Sequence, residues 1–247
     1  MTPSNPNTHP NPVLDSVRRG LASHTQADTA AARPRRDKFG VEVSTQGKNT
    51  ADLVSDFRVE LEALSGHVHL PGTRSAAIDV VLGLVKEYSV DSMLSWDREQ
   101  LPLAGIWEEL AAAGVTMIDG PVPGSGDDRP IVLANQARAQ MGLTGAQAGL
   151  ADTGSLVLVS GSGRARLASL LPPVHVALLP AEDLLPSLDH LFTIQPQMIQ
   201  EGSNMILVTG PSRTADIELT LTIGVHGPRH LHVILLPSPN QAPIRPG

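Results

Sequence analysis

The sequence predicts an α/β domain with a mixed, mostly parallel central sheet flanked by helices. Three observations carry that expectation. From Thr50 onward, short apolar runs alternate with helical patterns of roughly 10–15 residues, the arrangement that builds parallel sheets. Asp152-Thr153-Gly154 joins two apolar runs by a link short enough for a hairpin, which adds an antiparallel component. Apolar residues make up 41% of the 247 residues but aromatics only 2%, so the core must be aliphatic. A chain of this length buries roughly 70–75% of the surface its unfolded form exposes, so it needs no disulfide or structural metal to fold.

The elements follow in order. Residues 1–11 read as a tail, and Val13, Val17 and Leu21 mark one face of a short helix. Residues 22–48 are polar, with a basic cluster at Arg33, Arg35, Arg36 and Lys38. That cluster is either a solvated arm or a contact for phosphate or a partner. Thr50-Ala51-Asp52 offers a helix start, with Leu53, Phe57, Leu61 and Leu64 at helical spacing. Residues 67–70 read as a strand. Residues 74–88 read as a helix with Ile78, Val81, Leu82 and Val85 inward. Residues 91–96 form a strand, 105–113 a helix closed by Gly114, and 115–119 another strand.

Residues 120–130 are a loop on composition. Beyond them the pattern predicts a helix over 131–141 and strands over 143–151 and 155–160. A short helix over 164–171 is stopped by Pro172-Pro173. A strand over 174–179, a helix over 184–191 and strands over 205–208 and 231–236 complete the domain. The expected organisation is a flexible arm over 1–48 with a short helix, one α/β domain over 49–236, and a tail over 237–247.

The totals remove several function classes. The chain has no cysteine, which excludes disulfides, thiolate metal sites and cysteine-ligated iron–sulfur clusters in this subunit. A net charge of −7 disfavours a nucleic-acid footprint. No apolar run reaches a membrane span of roughly 18 residues, and the polar, proline-rich start lacks a signal peptide's regions. The expectation is a cytoplasmic protein without membrane or nucleic-acid partners. No Walker loop, GxGxxG fingerprint, GxSxG elbow or HExxH helix is present.

The densest polar chemistry lies in 210–218 and 224–228, between two strand patterns. Gly210, Ser212, Arg213, Thr214 and Asp216 precede His226 and Gly227. A glycine turn at a strand end presents backbone donors, a helical turn starting near Thr214 would attract an anion, and Arg213 has the planar fork that grips a carboxylate. Asp216 either orients Arg213 or acts as a base. His226 is a candidate general base or a loop-fixing donor. The plain alternative is a capping turn with Arg213 paired to Asp216 or Glu218.

A second polar group comprises Thr144, Gly145, Asp152, Thr153, Gly154 and Ser155. It reads as an anion cradle with Asp152 as a proton carrier, or as a structural hairpin in which Asp152 accepts local backbone bonds. The His67/His69 and His230/His232 pairs each lie on one strand face, but no third ligand has a fixed spacing to them, so no metal site is assigned.

Four blocks taken together resemble the LUD-domain family (DUF162), in its lactate utilisation protein C branch. They are LTGAQAGLADTGSLVL (143–158), LLPPVHVAL (170–178), VTGPSRTADIELTLTIGVHGP (208–228) and LHVILL (231–236). The resemblance implies a fold similar to the NagB/RpiA/CoA-transferase-like group. It also implies a part in oxidising L-lactate to pyruvate alongside partner subunits that carry the iron–sulfur clusters. No cofactor of this chain itself follows from it. Many relatives carry glutamate where this chain has Asp152, one methylene shorter. The site expected is a pocket for a small carboxylate or phosphate. Asp152, Asp216 and His226 would move protons there, and Thr144, Gly145, Thr153, Gly154, Gly210, Ser212, Arg213, Thr214 and Gly227 would line it. The alternatives are a stand-alone enzyme of the CoA-transferase or isomerase kind, with Asp152 attacking, and a non-catalytic assembly protein docking through the 22–48 arm.

Overall fold

In the computed structural model the described residues are 48–118, 120, 128–215, 221–223 and 227–238, with backbone alone described for residues 199, 213–215 and 221–223. All fall in the unit Ser44–Gly247. The helix and basic cluster expected before residue 48 lie outside them.

The chain is mixed α/β. Its centre is a six-stranded parallel sheet in the order β1-β12-β7-β4-β2-β3. These strands are β1 (His67–His69), β2 (Ser92–Ser95), β3 (Thr116–Ile118), β4 (Met141–Gly145), β7 (Val174–Pro180) and β12 (His230–Leu236). Beside it stands a four-stranded sheet in the order β8-β5-β6-β9. Its members are β5 (Ala148–Leu150), β6 (Ser155–Ser160), β8 (Leu184–Leu185) and β9 (Asn204–Val208). A small antiparallel pair joins β10 (Arg213–Ala215) to β11 (Leu221–Ile223). The five described α-helices are α1 (Thr50–Ala63), α2 (Arg74–Glu87), α3 (Ile106–Ala112), α4 (Asp128–Gln136) and α5 (Leu188–Ile194).

Local chemistry sets the helix ends. Asn49 caps α1, accepting from the Asp52 N–H while the Asp52 carboxylate accepts from the Asn49 N–H, a reciprocal capping box. Leu53, Val54, Phe57 and Leu61 then recur on one buried face. Thr73 caps α2, whose buried residues are Ala77, Val81, Leu84 and Val85. Ile78 and Leu82, expected inward, are only partly buried at the margin of that stripe. Gly114 closes α3 at φ +84, as its position predicts.

The inner strands are short, mostly apolar runs buried on both faces, as a covered parallel sheet requires, while the edge strands β1 and β3 are partly exposed. Val174, Val176, Val233, Leu235, Met141 and Leu143 are all 3% exposed or less. In the second sheet β5 and β6 are also buried on both sides, while β9 is partly exposed. Ala148, Leu150, Val157 and Val159 turn to a small core with Leu191 and Met198, while Leu156 and Leu158 join the main core. Gly149 lies where Leu179, Leu184 and Phe57 converge, and a Cβ there would come within 2.6 Å of Leu179. A glycine at this point lets the two sheets approach.

Several expectations about the second half are corrected. The antiparallel hairpin exists, with Leu150 paired to Ser155, but it lies in the second sheet. The run 143–151 is two strands: β4 ends at Gly145 in the central sheet, and β5 restarts at Ala148 in the other. Helix α4 starts earlier than expected and ends at Gln136, and Met141 opens β4. The short helix over 164–171 is a 3-10 turn at Arg166–Ser169. Leu184–Leu185 is a strand, and helix starts only after the Ser187 cap, whose side chain accepts from the His190 N–H.

Candidate functional site

In an open parallel sheet, ligands bind outside the carboxyl ends of strands where the strand order reverses. That reversal falls at β2 and β4: the chain leaves β2 for β3 on one side and later places β4 on the other. A cavity of about 180 Å³ opens there. Trp96 and Gln100 enter from the segment after β2, Gly145 and Gln147 from the end of β4, and Asp183 from the turn after β7. At roughly 30 Å³ per water, this volume suits a molecule of a few heavy atoms.

Several main-chain donors beside the cavity are already committed. The Trp96 N–H donates to the Leu143 carbonyl (3.0 Å) and the Ala146 N–H to the Leu178 carbonyl (3.1 Å). Gln147 Oε1 accepts from the Val159 N–H at 2.7 Å, which fixes which end of the amide is oxygen. Its two N–H groups have no partner among the described residues, and Gln147 lines the cavity. A Cβ at Gly145 would approach the Gln100 carbonyl and Pro102 to 3.2 Å and the Trp96 ring to 3.3 Å, so the glycine keeps this wall open.

Positive charge stands one step back. The Arg74 guanidinium, at the start of α2, donates to the Pro102 carbonyl, and Pro102 lines the cavity. The other arginine of this region, Arg98, is held by Glu108 at 2.8 Å. Burial and then the neighbouring Glu182 carboxylate raise the proton affinity of Asp183 above the ordinary carboxylate range.

The residues picked out by sequence separate into two places. Gly145 lines the cavity. Thr144, one residue away, does not reach it: the side chain is fully buried and its hydroxyl meets His175 Nε2 at 2.9 Å. Strand alternation turns Thr144 toward the sheet face that carries Gly142 and His175. Thr144→Val should cost about 1–3 kcal/mol, because it strands a buried imidazole nitrogen; chemical unfolding measures it. Asp152, Thr153 and Gly154 lie beyond β5, about 13 Å from Gln147 over the four strand steps to Ala151.

At that distant end the two polar blocks do meet. Ser155 Oγ donates to Thr153 Oγ1 (2.9 Å) and lies 2.7 Å from Thr209 Oγ1. Thr153 Oγ1 donates to the Asp152 carboxylate at 3.2 Å. The Ser212 N–H donates to the Pro228 carbonyl (2.8 Å), so the loop after β9 also touches the loop before β12, which contains Gly227. Gly154 has a packing reason to be glycine: φ is +61, and a Cβ would lie 2.4 Å from the Leu61 nitrogen. Gly210, at φ +102, packs against Leu64. Arg213 and Thr214 lie in β10, an extended strand and not the start of a helix, so the helix-terminus anion site expected at Thr214 is replaced by a hairpin. Asp216 and His226 lie outside the described residues.

The histidine pairs do converge. His232 Nδ1 is 3.1 Å from His69 Nε2 and its Nε2 is 3.0 Å from the Tyr88 hydroxyl. His67 stacks on His232 with ring centres 4.8 Å apart. Both ring nitrogens of His232 and Nε2 of His69 are engaged in these contacts. Among the described residues, no group of three or more His, Cys, Asp or Glu is arranged to hold a metal.

Sequence reasoning missed Arg74, Gln147 and Asp183. Each lies in an unremarkable helix start, strand break or turn, and only the strand order brings them to one end of the sheet.

Comparison with known proteins agrees with this architecture. The LUD domain model matches residues 54–236. The chain belongs to the LUD domain family. Among its relatives is a lactate utilization protein C of Halalkalibacterium halodurans, 34% identical over 158 residues that cover 62% of this chain and 64% of the relative. Against that relative the chain therefore spans just under two thirds of the length. A lactate utilization protein C of Exiguobacterium is 28% identical over 196 residues, covering 77% of this chain and 80% of the relative. The crystal structure of a DUF162 family protein from Deinococcus radiodurans shares the fold, with a TM-score of 0.51 and 18% identity over 77% of this chain and 99% of that one. Among the described residues no helix is long and apolar enough to cross a membrane.

Proposed function

We propose that this chain is a component of lactate utilisation that binds a small monocarboxylate at the carboxyl ends of β2, β4 and β7. The observation that carries this is the cavity at the strand-order reversal, where Gln147 offers fixed amide donors beside Asp183 and the Arg74 charge stands behind Pro102. Lactate as the ligand is suggested by the names of the relatives. The chain has no cysteine, so iron–sulfur clusters in such a system would belong to partner subunits. Electron transfer would be theirs, and this chain would hold and orient the acid.

Titration calorimetry with L-lactate and pyruvate tests the assignment. Gly145→Val, which fills the wall between Trp96 and Pro102, should weaken binding at least tenfold. Its unfolding midpoint serves as the check that the variant is folded. Equal affinity in folded Gly145→Val would remove the ligand from this cavity.

A second reading keeps the anion at the loops after β5 and β9, with Arg213 as its grip and Asp152, Asp216 or His226 as proton carriers. The Ser155–Thr209 contact, which joins those blocks, favours it. On that reading Arg213→Lys should impair growth on lactate more than Arg164→Lys, because an ammonium cannot make a planar two-point grip. Equal growth would count against it.

A further inference from the structure

We propose that the cavity takes up its carboxylate ligand together with one proton, shared between the ligand and Asp183. This inference rests on the monocarboxylate reading above and concerns the same site.

The argument begins with the lining. Two carboxyl side chains, Glu99 and Asp183, face the cavity, and no cationic side chain is among its lining residues. Arg74 contributes only through the Pro102 carbonyl, and Arg98 is committed to Glu108. A carboxylate entering this space therefore meets an acidic group at close range without a compensating charge in contact. Two carboxylates at such range do not both stay ionised; one proton is held between them, as in any close carboxyl pair.

Asp183 is the partner the geometry selects. It is half-buried, whereas Glu99 is exposed, and it makes no hydrogen bond or ion pair among the described residues. The groups around it all push the same way or stand aside. Glu182 precedes it with a carboxylate that accepts from the Ser238 hydroxyl. Helix α1, which packs against the same turn, has its Asp52 in the Asn49 capping box and its Asp56 paired with Lys48 at 2.6 Å. Burial and the Glu182 charge already favour the protonated form of Asp183 before a ligand arrives. Protonated Asp183 donates to one ligand oxygen, and the unpartnered Gln147 N–H groups donate to the other. Atoms balance simply: one proton leaves solvent on binding and returns on release, with no bond to carbon made or broken.

Calorimetry of L-lactate and pyruvate binding to the full chain, at pH 5.5 to 8 and in buffers of different ionisation enthalpy, tests this. Proton uptake should approach one per ligand at the alkaline end, with affinity falling toward tenfold per pH unit there. Asp183→Asn, a permanent neutral donor, should bind with no proton uptake and no pH slope. Glu182→Gln should keep the uptake. Binding without proton uptake in the native chain would overturn the inference while leaving the carboxylate site standing. Uptake that persists in Asp183→Asn would overturn it as well, because the proton would then go elsewhere. Absence of binding by either acid at every pH, in folded protein, would overturn both.

Discussion

Lowering the pH from 7 to 5 should remove about 3–4 kcal/mol of folding stability. The source is two buried histidines. Burial lowers His175 to about 4. Burial first, then the nearby His67 and His69, lowers His232 to about 3. An unfolded histidine takes its proton near 6.5, so below that pH the unfolded state binds protons the native state refuses. Stability attached to these groups is full above about pH 6.5 and is lost as pH falls toward their native values. His175 should contribute about 2 kcal/mol over this interval. His232 should add about 1–2 kcal/mol, discounted because exposed His67 and His230 let solvent screen it. Urea unfolding at pH 7 and pH 5 measures the loss. His232→Asn should shrink the difference by about 1–2 kcal/mol. A domain equally stable at both pH values would mean these imidazoles are not held neutral. Against a typical total of about 5–15 kcal/mol, the effect is large enough to read in a single pair of titrations.

Gly154→Ala should destabilise the domain by about 3 kcal/mol. Two costs combine. Residue 154 has φ +61, where an L side chain is disfavoured by about 1 kcal/mol. Its new methyl would also lie 2.4 Å from the Leu61 nitrogen and 2.8 Å from the Leu61 Cα. Neither is a flexible side-chain end, so α1 must move, and overpacking of this kind costs about 1–3 kcal/mol. The result separates packing from ligand binding: ligand affinity at the β2–β4 cavity should be unchanged once the folded fraction is taken into account. A shift in unfolding midpoint under about 1 kcal/mol would show that α1 yields freely and that the glycine is needed for something else.

The sequence pattern made the fold class readable because its central strands are short aliphatic runs separated by helices with clear caps. Gly114 marks an end the sequence shows, whereas the pattern puts the start of α1 at Thr50-Ala51-Asp52, one residue past its Asn49 cap. The splitting of 143–151 between two sheets was not readable. Met141–Leu150 is mostly apolar with no turn signal strong enough to divide it, and the close packing of Leu179 and Phe57 around Gly149 is invisible to local pattern. The residue types at 208–228 drew the functional reading there, and the Ser155–Thr209 contact joins the loop after β9 to the turn after β5. Thr144 was misplaced because a threonine beside a glycine reads as a loop donor; its partner His175 lies thirty-one residues away, beyond local pattern. Arg74, Gln147 and Asp183 carry no local motif, and their meeting is a consequence of strand order alone.

The most direct test of the central claim is a crystal structure of the chain grown with L-lactate. The acid is expected beside Trp96 and Gly145, with its carboxylate within hydrogen-bond distance of Gln147 and Asp183. Lactate bound instead at the loops around Thr209 and Arg213, with the β2–β4 cavity holding only water, would contradict it.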